Sequence, residues 1–191
     1  MKLKTKQVVL TGIFLGICIA SQFLKNTSVY VTGSIINLIL LLTTGYCGVA
    51  CGIIISIITP VTSFIITGSP LISMVPAIMP AIMAGNIIYV LAFYFIKRIA
   101  YDRYKGAKTE LRRMAATLGG GAVGAVLKAG FMGVVIVKII LPLLGHNVPE
   151  KLMTVAKVQF SLVQLITAGI GCALATIIFW RIGANPEKQA E

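Results

Sequence analysis

The sequence predicts an all-α integral membrane protein, a compact bundle of six transmembrane helices with both termini in the cytoplasm. Hydrophobic residues make up 58% of the 191 positions and charged residues only 12%, whereas a soluble domain has about 25% charged residues. The mean hydropathy is +0.97. The apolar residues also occur in runs that match the roughly 30 Å hydrocarbon core of a bilayer. This composition argues against a soluble enzyme and against a disordered chain.

Six apolar runs, separated by polar or turn-forming segments, predict six spans in a single domain. The polar segment 25–28 ends the first run. The uncharged run 34–66 would be about 50 Å long as one helix, too long for one crossing, so it is divided at 45–48. Pro76 and Pro80 fall in the first two turns of the fourth span, where neighbouring helices can satisfy the freed carbonyls. The predicted spans are 7–24, 34–45, 47–66, 73–96, 114–144 and 158–180.

The distribution of basic residues predicts the orientation. With six spans both termini lie on one side, and that side carries twelve of the 17 Lys and Arg residues, seven of them in the connection 97–113. Three basic residues lie on the opposite side and two lie inside the fifth span. Lys and Arg are concentrated on the cytoplasmic side of membrane proteins, so both termini are predicted to be cytoplasmic. This topology accounts for most of the net charge of +12 without nucleic acid, and the connection 97–113 could also meet anionic lipid.

Polar side chains within the spans are concentrated in the outer halves of this topology. Lys128 and Asn86 lie near mid-depth, whereas Asn37 and Lys138 lie closer to the outer surface. All five acidic residues fall outside the spans, so Lys128 has no carboxylate partner in the bilayer. We therefore predict an outward-open pocket in which Lys128 meets a ligand with a carboxylate or a polarised carbonyl. Two alternatives stay open: Asn37 as an interhelical hydrogen-bonding residue, and Lys138 as a side chain that reaches the interface.

Small residues recur at every fourth position of the first span, at Gly12, Gly16 and Ala20. Such a stripe allows another helix to approach closely. A similar pair, Gly120 and Gly124, is expected to pack within the bundle. The sequence has no G-x-x-x-x-G-K-[ST] or G-x-S-x-G motif, and one histidine with four scattered cysteines predicts neither a metal site nor a disulfide. No enzymatic activity, cofactor or metal is predicted.

In size, number of spans and order of motifs, nearly the whole chain resembles the substrate-binding S components of energy-coupling factor (ECF) transporters. The resemblance starts with the basic N-terminus that leads into the stripe of the first span. It continues with Thr-Gly-Ser-Ile-Ile-Asn at 32–37, Ile-Thr-Gly-Ser-Pro-Leu at 66–71 and Met-Ala-Gly-Asn at 83–86. In that family, a six-helix protein captures a vitamin or related micronutrient from outside the cell. It then docks through its first helices on a transmembrane T component that carries two ATPase subunits.

The resemblance implies roles for particular residues of this chain. Gly12, Gly16 and Ala20 would form the docking surface, although the family usually has alanines there. The ligand would lie on the outer side among the last three helices, and the connections after the first and third spans would gate it. The substrate-binding residues that follow from the pocket and the resemblance are Asn86, Lys128, Gln164, Tyr30, Ser69, Lys138 and Asn37.

The predicted function is therefore substrate capture for an ATP-driven importer in the cell (cytoplasmic) membrane. A pocket with lysine but no acid suits pantothenate, biotin, riboflavin or folate-like compounds, and it suits the cationic thiamine poorly. Two other functions stay open. One is a membrane scaffold or assembly subunit that binds no ligand. The other is a small secondary transporter, which is disfavoured by the absence of intramembrane acids and of an evident inverted repeat.

Overall fold

The computed structural model describes residues 4–25, 27–103 and 110–182, and helices are the regular structure found in these ranges. Four basic residues used above to predict orientation, Lys2, Lys105, Lys108 and Lys188, lie outside the described residues. In chain order the helices are α1 (Thr5–Gln22), α2 (Val29–Cys47), α3 (Val49–Thr67), α4 (Pro70–Met74), α5 (Ile78–Arg103), α6 (Glu110–Met132), the π-helix π1 (Gly133–Ile140), α7 (Leu141–Leu144), α8 (Glu150–Gln159) and α9 (Leu162–Ile182).

Six segments of the described chain are long and apolar enough to cross a membrane. They are α1, α2, α3, most of α5, the continuous run from Met114 through π1 to Leu144, and the run of α8 with α9. These six segments confirm the predicted all-helical architecture and the number of candidate spans. The molecule is therefore built as a multi-pass helical membrane protein.

Local chemistry explains why several helices begin or end away from the predicted span limits. The second helix starts at Val29 instead of residue 34, because the Ser28 hydroxyl caps it by accepting from the Val31 N–H at 3.3 Å. The break between α2 and α3 falls at Gly48, whose φ of 96° favours glycine. Pro76 lies before α5 instead of within it, since the residue preceding a proline is disfavoured in helical conformation. Pro80 lies in the first turn of α5, where proline is tolerated.

The polar connection predicted at 145–157 contains a helix of its own. Pro149 precedes α8, and α8 ends at Gln159. The Ser161 hydroxyl donates to the Lys157 carbonyl at 2.6 Å, and this local bond competes with the backbone hydrogen bonds that would continue the helix. The last span thus consists of two helices with a break at Phe160 and Ser161.

The bundle packs most closely between α5 and α6, α2 and α9, and α6 and α9. Glycines allow this packing: Gly120 and Gly124 face Phe93 and Tyr89 of α5, which confirms that they pack within the bundle. A β-carbon at Gly171 in α9 would lie only 2.7 Å from the Leu38 backbone nitrogen. The end of the bundle where α1 ends and α2 begins is called the Lys25 end below, and the opposite end is called the Lys97 end.

Candidate ligand site

A cavity of about 160 Å³ extends into the bundle from the Lys25 end. Lys25 and Ser69 line it near that end, and Asn37, Asn86 and Lys128 line its deeper part. Further walls come from Thr59 and Ser63 of α3, from α8, and from Gln164 at the start of α9. The cavity is therefore lined by polar side chains from helices that are far apart in the sequence.

Lys128 is buried at the deep end of the cavity, with 2% of its surface exposed. Its Nζ donates to Asn37 Oδ1 at 2.6 Å and lies 5.5 Å from the centre of the Tyr89 ring, within the range of a cation–π contact. Within the described part of the chain, Asn37 is the one hydrogen-bond acceptor found for this ammonium group, which carries three N–H donors. The remaining N–H groups of Lys128 can thus donate to a molecule in the cavity.

Neighbouring helices hold the partners of Lys128 in place. The Asn37 amide nitrogen donates to Thr167 Oγ1 at 3.3 Å, and the close approach of α2 to α9 at Gly171 makes this contact possible. The Tyr89 hydroxyl donates to the Ala168 carbonyl at 3.0 Å, which fixes the ring beside the ammonium. The deep end is therefore a hydrogen-bonded set that joins α2, α5, α6 and α9.

Gly85 in the segment 83–86 has a clear structural role beside Lys128. A β-carbon at this position would lie 2.8 Å from the Met132 side chain and 3.8 Å from the Lys128 stem. The absence of a side chain lets α5 and α6 approach where the lysine passes between them. Asn86, the next residue, is 3% exposed and lines the cavity.

Lys25 forms a second cationic position in the same cavity. Its Nζ donates to Ser63 Oγ at 2.7 Å, and burial lowers its pKa from the ordinary value of 10.5. Sequence reasoning assigned this residue only to the charge of the outer connection. The sequence did contain a signal for this role of Lys25. Thr59 and Ser63 are four residues apart, so they form a polar face near the end of α3, and polar groups there need a partner from a neighbouring segment.

The structure brings together most of the predicted substrate-binding residues. Five of them line the cavity: Asn37, Ser69, Asn86, Lys128 and Gln164. Tyr30, which is 50% exposed, and Lys138, an exposed residue of π1, are not among the residues that line it.

The predicted docking stripe lies on the outer surface of α1. Gly12, Gly16 and Ala20 are all exposed, and a β-carbon at either glycine would meet no atom within 4 Å. The packing partners of α1 are α2 and α3, which contact its opposite face. The stripe is thus not used for packing within the described bundle.

The chemistry of the cavity suits an organic anion better than a metal ion. Its polar groups are ammonium, amide and hydroxyl groups, and no carboxylate, thiol or imidazole is among the lining side chains. Within residues 4–25, 27–103 and 110–182, no three His, Cys, Asp or Glu side chains lie close enough together to hold a metal ion. Two ammonium groups repel a cation and attract carboxylates, phosphates or carbonyl oxygens.

The fold and this site define a class: a multi-pass helical membrane protein with a cationic cavity between its helices. Comparisons of the chain with protein-family models, with curated proteins and with solved structures give no match. The observations that bear on function are therefore the geometry of the cavity and the order of motifs in the sequence.

Proposed function

We propose that this chain is the substrate-capture subunit, or S component, of an ECF-type importer in the cell membrane. In this role it binds a vitamin or related micronutrient that carries an anionic or carbonyl group. The observation that carries the proposal is Lys128, a buried lysine at the deep end of a cavity whose neighbours are a neutral amide and an aromatic ring.

The energetic argument concerns the charge of Lys128. A charged group buried within a membrane bundle is costly unless it is paired or hydrogen-bonded. The Asn37 amide and the Tyr89 ring offset part of this cost but bring no opposite charge. A bound carboxylate would supply that charge and would accept the remaining N–H groups. This supports a ligand as the missing partner of the site.

The charges at the two ends of the bundle support an orientation for the proposed subunit. Eight described basic residues belong to the Lys97 end, and three belong to the Lys25 end: Lys4, Lys6, Lys97, Arg98, Arg103, Arg112, Arg113 and Arg181 against Lys25, Lys151 and Lys157. The positive-inside rule favours this end as the cytoplasmic one, with both termini on that side. The cavity then faces outward, as capture of an external solute requires.

Energy for import would come from partner proteins. The sequence contains no phosphate-binding P-loop motif of its own, so the proposal requires a T component and two ATP-binding subunits. The exposed stripe of Gly12, Gly16 and Ala20 is the surface proposed to contact the T component. No cofactor and no nucleic acid are needed for this function.

A membrane scaffold that binds no ligand is the second candidate function, and one observation favours it. The hydrogen bonds from Lys128 to Asn37 and from Asn37 to Thr167 join three helices, so these residues also serve as interhelical contacts. A scaffold would need nothing more from them. A test for ligand binding distinguishes the two functions, because only the substrate-capture subunit binds a ligand.

The decisive experiment measures binding by the purified chain in detergent or nanodiscs without ATP. Against pantothenate, biotin, riboflavin, folate and thiamine, we expect saturable binding of one compound with a thermal shift, and thiamine is the least favoured of the five. Lys128→Met should weaken this binding about 100-fold, because the ligand loses its buried ionic partner. Lys151→Met is the matched control, since Lys151 is exposed and does not line the cavity.

Three results would count against the proposal. Absence of binding and of any thermal shift over a broad vitamin panel would favour the scaffold. Equal affinities for wild type and Lys128→Met would remove this lysine from the site. Accumulation of the ligand by proteoliposomes that contain this chain alone would instead indicate a secondary transporter.

A further inference from the structure

The cavity contains two lysines at different depths. Lys25 lies in the connection between α1 and α2 and reaches Ser63, one turn before the end of α3. Lys128 reaches Asn37, which lies eight residues into α2. Ser63 is four residues from the Lys25 end of α3, and Asn37 is eight residues from that end of α2, so at 1.5 Å per residue the two acceptors differ in depth by about 6 Å. The two ammonium groups are therefore held at two depths of one cavity.

Each of the two ammonium groups has a neutral partner. Ser63 Oγ accepts from Lys25, and Asn37 Oδ1 accepts from Lys128. No acidic side chain is among the residues that line the cavity. Two cations in a partly enclosed space create a positive potential that attracts anions. One monovalent ligand would neutralise only one of these two charges.

Besides the two lysines, the cavity is lined by neutral amides. Asn86 lines its deeper part, Gln159 and Gln164 belong to the walls formed by α8 and α9, and an amide side chain both donates and accepts hydrogen bonds. These groups can hold hydroxyl or carbonyl groups of a ligand without adding charge. Apolar residues such as Ile36, Ile82 and Phe160 complete the walls and fit a carbon chain.

We propose that the ligand is an organic dianion, with one anionic oxygen group bound by Lys128 and the other by Lys25. This inference rests on the proposed ligand-binding function and adds a second anionic group to the substrate class. Lys25 is thereby a specificity-determining residue, since it distinguishes a dianion from a monoanion that fills only the deep end. Phosphate and carboxylate groups share the required chemistry, and analogues of equal length distinguish between them.

The test uses linear α,ω-dicarboxylates of increasing length and the monomethyl ester of each. For purified wild type, binding is expected to be tightest at one chain length, at which the two carboxylates span the distance between the two lysine sites, about 6 Å along the helix axes. At that length the diacid should bind at least about 30-fold more tightly than its monoester, which has lost one charge pair. A phosphate-terminated analogue of the same length, assayed in parallel, shows which anionic group is preferred.

Variants at the Lys25 site distinguish the effect of the lysine's charge from an effect on the protein's structure. Lys25→Gln should weaken diacid binding about 10- to 100-fold and should leave monoester binding within about threefold, because only the diacid uses this charge. Lys25→Arg should restore most of the diacid affinity. Ser63→Ala removes the hydrogen bond of Lys25 but keeps its charge, and it should retain the preference for the diacid. Thermal melting of each ligand-free variant verifies that it is folded.

The outcomes distinguish this inference from the proposed function. Equal affinity for diacid and monoester, or an equal loss of both in Lys25→Gln, would overturn the dianion while leaving ligand binding at Lys128 intact. Wild type that binds a vitamin in a Lys128-dependent way but binds no diacid also overturns the dianion alone. Wild type that binds no compound of either panel would overturn both proposals.

Discussion

Lys97 is a half-buried lysine that does not line the cavity, and aromatic rings surround its charge. Its Nζ lies 4.1 Å from the centre of the Phe179 ring and 5.4 Å from that of Phe93. These cation–π contacts compensate the charge with groups of the protein itself, and they tie α5 to α9 near the Lys97 end. Lys25 and Lys128 donate to neutral oxygen acceptors and line the cavity, and Lys128 also contacts the Tyr89 ring. The contrast marks those two residues as the ones with capacity for a ligand.

The lowered pKa of Lys25 predicts a pH-dependent stability of the ligand-free protein. Because burial lowers this pKa below 10.5, the unfolded chain binds the proton more tightly, and stability rises with pH between the lowered pKa and 10.5. At about pH 7, Lys25→Met should melt at a higher temperature than wild type, since the desolvated charge is gone. This difference should shrink as the pH approaches about 10.

Thermal melting in detergent across this pH range measures the effect, with Lys151→Met as the control for loss of an exposed lysine. A melting difference between Lys25→Met and wild type that stays constant with pH would show that the charge of Lys25 is not its cause.

At the scale of helices, the contact between α2 and α9 positions the deep end of the cavity. Gly171 lies against the backbone of α2, and an added β-carbon would be 2.7 Å from the Leu38 nitrogen and 2.8 Å from the Asn37 β-carbon. A backbone neighbour cannot rotate away as a flexible side chain can. A side chain at Gly171 must therefore move α9 away from α2, and this displacement also separates Asn37 from Thr167.

Gly171→Ala is accordingly expected to lower the free energy of unfolding by about 1–3 kcal/mol, the usual cost of overpacking. The ligand affinity of this variant should fall as well. Gly169→Ala is the matched control on the same helix, because an added β-carbon there meets no atom within 4 Å; its stability should stay within about 1 kcal/mol of wild type. Denaturant titration in detergent measures both. Equal stability of the two variants would show that α2 and α9 do not need this close approach.

The number of spans and their helical type were predictable because length and hydropathy are local properties of the sequence. Asn86, Gln164 and Lys128 were predictable as cavity residues for a similar reason: their depth follows from counting residues along each span. The close packing at Gly120 and Gly124 followed from small residues at helical spacing. These inferences needed no knowledge of which helices are neighbours.

The rest depends on tertiary contacts. Lys25 enters the cavity because the connection after α1 folds against α3, and nothing in the local sequence specifies that direction. The π-helix at Gly133–Ile140 has an apolar sequence that is equally compatible with α-helix. The helix at Glu150–Gln159 was hidden because its polar composition resembles that of a surface loop, and its burial of Ala156 arises only once α8 packs over the cavity.

At the scale of the whole molecule, α1 lies at the edge of the bundle and presents an exposed face. If this face is the docking surface of the proposed importer, replacing Gly12 and Gly16 together by leucine should abolish co-purification with a T component and its ATPase pair, because bulky side chains prevent the close helix approach that small residues allow. The isolated variant should keep its melting temperature and ligand affinity, since both glycines have open space around them.

Gly119→Leu provides the comparison for this docking test. Gly119 is also an exposed glycine with no atom within 4 Å of an added β-carbon, but it lies on α6. Its complex with the T component should form as in wild type. If the α1 double variant still co-purified with its partners, α1 would not be the docking surface. If Gly119→Leu lost the partners as well, the effect would not be specific to α1.

The hydrogen bonds at the deep end of the cavity also impose an order on biogenesis. They join residues far apart in the chain, 91 positions for Lys128 with Asn37 and 130 positions for Asn37 with Thr167. Because synthesis proceeds from the N-terminus, Asn37 enters the bilayer before its first partner exists, and Lys128 enters before α9 can close the bundle around it. Until its partner helix arrives, such a polar group faces hydrocarbon, which costs free energy unless the translocation machinery or the nascent helices shield it. The residues that would recognise the ligand are thus also the ones that make insertion of this protein depend on its last helix.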